Sequence, residues 1–309
     1  MSPNQFEWRG IGVVMPTPLT VDDSVNVEEL RALYRYIADG GADMIAGPIA
    51  TGQYPALSRE EVSLVMQTAI DTVGDEMGIV GYTSASSTRE AVDRTKEAAT
   101  LGVDAVLQLP PWYVQPTEEE IYEHFSTVIE ETDVPVVLYN HKPRTGVELA
   151  PEISIRLARE YDDVVGLKDR DIDHVYEVLS RTTEDDLTVL SGSLEFHQLP
   201  NFITLGAHGW TSVSAQIAPE VVDVPLLEAS RRGDHETIRE IVYDHRDLLS
   251  LFKEMDYPPR NINYMLELMG WEMGTPRGPY VYPPSKENRE TYEQVLREYN
   301  LLDVRQEYA

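Results

Sequence analysis

The chain has 309 residues, with 54 Asp+Glu against 25 Lys+Arg, a formal net charge of −29 spread along its length, and no cysteine. That balance argues against nucleic acid and anionic membrane partners, and the missing cysteine excludes disulfides and thiol catalysis. Hydrophobic residues are 42% of the chain, enough for a sizeable core, and no apolar run approaches the roughly 20 residues that span a membrane. Strand-length apolar segments alternate with helix-period segments throughout. The first predicted strand is Gly10–Thr17, followed by a helix over Val27–Gly40. Next come Asp43–Ile49 with Ser58–Val73, whose Ser58 and Glu61 form a helix-start signature. The third pair is Gly78–Tyr82 with Ser87–Leu101. The fourth is Asp104–Leu109 with Thr117–Glu131, again opened by a threonine and glutamates. Val134–Tyr139 with Ala150–Tyr161 is fifth, and Val164–Lys168 with Asp173–Thr182 sixth. Leu187–Ser191 with Glu195–Leu205 and Gly209–Val213 with Pro219–Arg232 complete the series.

Eight strand–helix units within residues 1–232 match the count and size of a (β/α)8 TIM barrel, an α/β fold. A doubly wound sheet is the rival, but no Gly-x-Gly-x-x-Gly follows the first strand. Residues 233–309 read as a C-terminal helical extension, with helices over His235–Met255, Asn261–Met269 and Ser285–Leu301. Pro258-Pro259 and the Gly/Pro-rich Gly274–Pro284 punctuate it. No low-complexity linker precedes this part, so it is expected to pack on the barrel.

The segment Val164-Val165-Gly166-Leu167-Lys168-Asp169 reads as a buried strand ending in a lysine. Lysine is scarce, occurring only at Lys96, Lys142, Lys168, Lys253 and Lys286. An amine buried at an apolar strand end loses hydration; its pKa falls and its neutral, nucleophilic form becomes populated. Schiff-base chemistry on a carbonyl substrate requires this. The alternative is a lysine turned to solvent beside Asp169. Scarce lysine with abundant carboxylate also suggests adaptation to high internal salt, which screens self-repulsion. The opening Met1-Ser2-Pro3-Asn4-Gln5-Phe6-Glu7 has neither the basic region nor the apolar core of a secretion signal, so a cytoplasmic location is expected.

In such barrels the reacting groups sit at the C-terminal ends of the strands. Those ends carry Ala50-Thr51-Gly52-Gln53, Pro110-Pro111-Trp112-Tyr113, Tyr139 through Gly146, Lys168, and Ser191-Gly192-Ser193. An amine, two tyrosines, an arginine and a glycine-bearing turn are thereby expected at one mouth. The seven histidines show no metal-ligand spacing and read as structural or solvated, with His141 set apart by its loop. No metal and no cofactor is expected.

These strand ends resemble those of the dihydrodipicolinate synthase / N-acetylneuraminate lyase family of class I aldolases, over nearly the whole chain. The family's Gly-Thr-Thr-Gly-Glu-x-x-x-Leu-Ser resembles Ile49 through Ser58, and its Pro-Tyr-Tyr-x-x-Pro resembles Pro111 through Pro116. Its Tyr-Asn-x-Pro-x-Arg-Thr-Gly is similar to Tyr139 through Gly146, with the proline displaced to Pro143. Gly-x-Lys-Glu resembles Gly166 through Asp169, and Gly-x-x-Ser-Val-x-Ala-x-x-x-Pro resembles Gly209 through Pro219. Each pattern alone is modest; five in order are specific.

The resemblance implies that Lys168 forms an imine with a 2-oxo acid, usually pyruvate or a pyruvate-bearing sugar acid, and that Tyr139 shuttles protons. Backbone N–H groups at Ala50 and Thr51, with the Thr51 hydroxyl, would hold the substrate carboxylate. Gly192 would leave room for the pyruvyl group, Thr211 would join the substrate-binding set, and Arg144 would bind a second substrate's carboxylate. Tyr113 would reach a neighbouring subunit's site, in a homotetramer built as a dimer of dimers.

The chain also departs from the synthase branch. The first loop threonine, a relay hydroxyl there, is Ala50 here; the loop glutamate is Gln53; and Lys-Glu-Ala/Ser is Lys168-Asp169-Arg170, nearer the Lys-Asp-Gly of the keto-deoxy-glucarate dehydratase branch. Three functions therefore stand at this point. The first is a Schiff-base lyase acting on pyruvate or a 2-keto-3-deoxy sugar acid. The second is condensation of pyruvate with aspartate semialdehyde, as in the synthase branch. The third is a non-catalytic 2-oxo-acid-binding barrel.

Overall fold

A computed structural model describes residues 6–192, 196–253 and 259–308. The expectations placed on the first five residues, on Ser193, on Glu195 and on Met255 through Pro258 lie outside these. In chain order the elements are β1 (Gly10–Val14), α1 (Val27–Asp39), β2 (Met44–Gly47), α2 (Arg59–Val73), β3 (Gly78–Tyr82) and α3 (Thr88–Leu101). They continue with β4 (Ala105–Gln108), α4 (Glu118–Glu130), β5 (Val136–Tyr139), α5 (Lys142–Thr145), α6 (Pro151–Glu160), β6 (Val164–Asp169) and α7 (Ile172–Leu179). Then follow β7 (Thr188–Ser191), α8 (Leu199–Thr204), β8 (Gly209–Ser212), α9 (Val224–Arg232), α10 (His235–Asp244), α11 (Arg246–Lys253), α12 (Pro259–Leu268) and α13 (Lys286–Glu298). The strands close into a parallel barrel in sequence order, the (β/α)8 architecture read from the alternation.

Local chemistry sets the boundaries. Ser58 with Glu61 and Thr117 with Glu120 both form reciprocal capping boxes. β1 stops at Val14, short of the expected Thr17, because Pro16 and Pro18 have no N–H to extend a ladder. The single helix expected over Pro219–Arg232 opens instead as a π-turn at Pro219–Asp223, where Pro225 removes a backbone donor from the first turn of α9. The long helix expected from His235 breaks at His245, whose Nδ1 lies 3.2 Å from the Tyr299 hydroxyl, while that hydroxyl also lies 3.1 Å from the Asp244 carbonyl. Between β7 and β8 a 3-10 turn, Phe196–Gln198, runs into the short α8 in place of one longer helix.

The chain divides into two compact units. One holds Gly78–Thr211 with the chain through Gly12; the other holds Val13–Met77 with the chain from Ser212 onward. In the first, Gly166 makes room for Trp8: a Cβ there would lie 2.4 Å from the indole Cδ1. The indole N–H donates to the Leu167 carbonyl at 3.2 Å. In the second unit, the C-terminal segment fastens onto α1 and α2. Arg277 donates to both Glu61 oxygens (2.6 and 2.7 Å) and to Asp23 Oδ1 (2.9 Å). Arg305 reaches both Glu29 oxygens at 3.2 Å, and Trp271 stacks against Tyr36 with centroids 5.5 Å apart. These contacts tie residues 271, 277 and 305 to α1, α2 and the loop before α1.

Candidate active site

The first unit carries the lysine. Side chains alternate along a strand, so Lys168 and Asp169 face opposite ways. Lys168 is 5% exposed, and its Nζ sits 4.3 Å from the centroid of the Tyr139 ring, its register partner on β5. Asp169, on the other face, accepts from Asn140 Nδ2 and from the Asp171 N–H, each at 3.0 Å, and packs against the His174 ring. Asn140 in turn accepts from the Leu149 N–H at 3.1 Å and donates its own N–H to the Lys168 carbonyl at 3.0 Å. This network fixes the two strand ends next to the amine. Burial alone would lower the His174 pKa, but its hydrogen bond to Asp169 and that carboxylate's charge raise it overall. A lysine turned to solvent beside Asp169 is thus not what the chain builds.

The amine is accordingly perturbed. Burial first, then the Arg170 and Arg144 charges, lower the Lys168 pKa from 10.5 to about 7. The neutral form is thereby far more accessible near neutrality than in a solvated lysine.

Gly192 completes this side. Its N–H donates to the Asp169 carbonyl at 2.6 Å, and a Cβ on it would lie 3.3 Å from Lys168 Cε. Any side chain there would press on the amine's stem. Thr211 is buried, and its hydroxyl donates to the Ser191 carbonyl at 3.4 Å. Arg144 lies in α5, a helical turn where the sequence predicts loop. Pro143 stands in its first turn, and Gly146 ends it at φ +71, in the left-handed region that favours glycine. The Arg144 charge is felt at Lys168, at His141 and at Tyr82, whose hydroxyl burial pushes up to about 12. Lys168, Tyr139, Gly192 and Arg144 are therefore gathered. Tyr113 is not: it stands 95% exposed at φ +80, with Val114 beside it 62% exposed.

Ala50 and Thr51 belong to the second unit, in the turn after β2. Thr51 is buried and Ala50 half-buried. The turn is tightly held. The Thr17 hydroxyl donates to the Gly52 carbonyl at 2.8 Å, and Gln53, at φ +59, accepts from the Arg277 N–H at 2.8 Å. A Cβ on Gly52 would lie 2.8 Å from the Met15 carbonyl oxygen.

Sequence reasoning missed the Asn140–Asp169–His174 network and the placement of Arg170 and His141. The alternation rule puts residues 168 and 169 on opposite faces; Arg170 lies beyond β6 and is placed by its approach to Gly192 and His141. Among the described residues, no group of three or more His, Asp or Glu could hold a metal ion.

The sequence matches the family described as the dihydrodipicolinate synthetase family over residues 7–299. It is 34% identical to the 4-hydroxy-tetrahydrodipicolinate synthase of Methanopyrus kandleri, across 94% of this chain and 95% of that one. The same named enzyme of Sulfurihydrogenibium sp. is 34% identical across 95% and 99%. Among solved structures, the dihydrodipicolinate synthase of Aquifex aeolicus superposes with a TM-score of 0.88 at 31% identity, covering 96% of this chain and all of that one. That of Thermotoga maritima gives 0.88 at 29%, with the same coverage.

Proposed function

The chain belongs to the dihydrodipicolinate synthetase family of class I aldolase-type lyases, and we propose that it acts on pyruvate or a 2-keto-3-deoxy sugar acid through an imine on Lys168. The carrying observation is the amine itself, buried against Tyr139 with its pKa brought to about 7. Neutral Nζ attacks the C2 carbonyl, the C2–N bond forms, and the carbonyl oxygen leaves as water. The protonated imine then draws in the electron pair released when the C3–C4 bond breaks or a C3 proton departs. Tyr139, stacked beside the amine, hands protons to and from these atoms. Gly192 and Thr211, in the same unit as Lys168, border the pyruvyl group. Borohydride reduction with pyruvate, and separately with keto-deoxy sugar acids, should leave an adduct mapped to Lys168 by mass. Its absence with all of them overturns the imine and favours a barrel that binds 2-oxo acids without turnover.

A second reading, condensation of pyruvate with aspartate semialdehyde, is favoured by the relatives' names and by Arg144. The relay hydroxyl of that chemistry is absent at Ala50, so another relay would already have to operate. Under this reading Ala50→Thr changes condensation little; a large gain counts against it.

Assembly into a dimer of dimers is part of the same proposal, motivated by the exposed, left-handed Tyr113. A fully active monomer in sedimentation would remove that support. The charge of −29 motivates a halophilic enzyme. Thermal unfolding should then shift upward from dilute buffer to molar potassium chloride, and an unchanged midpoint would refute it. Among the described residues no helix is long and apolar enough to cross a membrane.

A further inference from the structure

Arg170 follows the last residue of β6. Its Cγ lies 2.9 Å, and Lys168 Cε 3.3 Å, from the point where a Cβ on Gly192 would sit, so both stems flank one glycine. Arg170 Nη1 lies 3.3 Å from His141 Nε2. A guanidinium only donates, so Nε2 accepts and the ring proton rests on Nδ1. His141, 4% exposed, is thus a neutral imidazole, in keeping with a pKa lowered to about 3 by burial and by Arg170, Arg144 and Lys168. Its carbonyl meanwhile accepts from the Arg144 N–H at 2.9 Å. One residue ties both arginines to the end of β5.

We propose that Arg170, oriented by His141, acts with Arg144 to select a reaction partner whose far end is a dianion, either a phosphate or a pair of carboxylates. The Arg170 and Arg144 charges both act on Lys168 and His141, and an end of charge near −2 is drawn to such a region where a neutral end is not. Planar, bidentate donors suit phosphate and carboxylate oxygens alike. His141 is a positioning residue in this scheme; Arg170 touches the partner. The proposal rests on the imine reading, because the partner is whatever joins to or leaves from the pyruvyl carbon.

The experiment compares pyruvate condensation with glyceraldehyde, glyceraldehyde 3-phosphate and an aldehyde bearing two carboxylates. The readout is the ratio of kcat/KM for each anionic aldehyde to that for the neutral one. Arg170→Gln should lower this ratio at least tenfold, chiefly through KM, and Arg170→Lys should recover part of it. The larger wild-type ratio identifies which dianion is meant. A ratio unchanged in Arg170→Gln, or a wild type without preference for either dianion, overturns the proposal. Borohydride trapping of pyruvate on every variant separates the two readings. Wild type without an adduct overturns the imine, whereas a normal adduct with an unchanged ratio overturns Arg170 alone.

Discussion

Two cationic clusters, one in each unit, show what the surroundings make of a positive charge. Around Arg277 the neighbours are carboxylates: Glu61 takes both terminal guanidinium nitrogens, Asp23 takes Nε, and the group is held more firmly protonated than usual. Around Lys168 the charges felt are Arg170 and Arg144, and the amine is driven toward its neutral form. The first cluster joins distant chain segments; in the second the amine feels like charges and gains reactivity. Hydrogen bonds to charged groups contribute about 1.5–3 kcal/mol each when desolvated, so Arg277 fastens its unit. A penalty on protonation is of no use for fastening, but it prepares a nucleophile.

This contrast can be broken from either side. Lys168→Ala should abolish the borohydride adduct and cut turnover by at least about 10³-fold, roughly 4 kcal/mol of barrier; retained turnover would remove the lysine from the chemistry. Arg277→Ala should cost about 2–4 kcal/mol of stability, read as a lower denaturant midpoint at unchanged slope. A loss below about 0.5 kcal/mol would mean that the cluster is an ordinary surface network. Gly192→Ala should lower kcat/KM about tenfold, close to 1.4 kcal/mol, because its Cβ falls 2.9 Å from Arg170 Cγ and 3.3 Å from Lys168 Cε. The mildest change is in pH dependence. Imine formation needs the neutral amine, so the trapping rate should rise with pH through about 7 and level off above it. Arg144→Gln removes a neighbouring cation, the protonated amine becomes less costly, and the midpoint moves upward, toward 10.5. Trapping at pH 6 should therefore slow in that variant; a downward shift would mean that the arginine charge is not among the causes of the lowered pKa.

The barrel could be read from the sequence because parallel strands buried on both faces leave near-continuous apolar runs, as β1, β4, β5 and β7 do. Lys168 stood out for the same reason: a scarce charge closing such a run. The single turn of α5 could not be read that way, since four residues have no period and only Pro143 and Gly146 mark it. The break at His245 depends on Tyr299, 54 positions away in the chain. The role of Asp169 turns on which face it occupies, and register, not composition, sets that.

Glu61 accepts from the Ser58 N–H as part of its helix cap and, with the same carboxylate, from two nitrogens of Arg277. Arg277 in turn donates its backbone N–H to Gln53, in the turn that carries Thr51. A helix start, a C-terminal segment and a candidate carboxylate-binding turn thus share a single acid. Such an acid leaves evolution little freedom: aspartate is one methylene short, and glutamine gives up the charge. In sequences descended from this one, positions 53, 61 and 277 should change together or not at all, and a lineage that shortens its tail should first have rebuilt the turn.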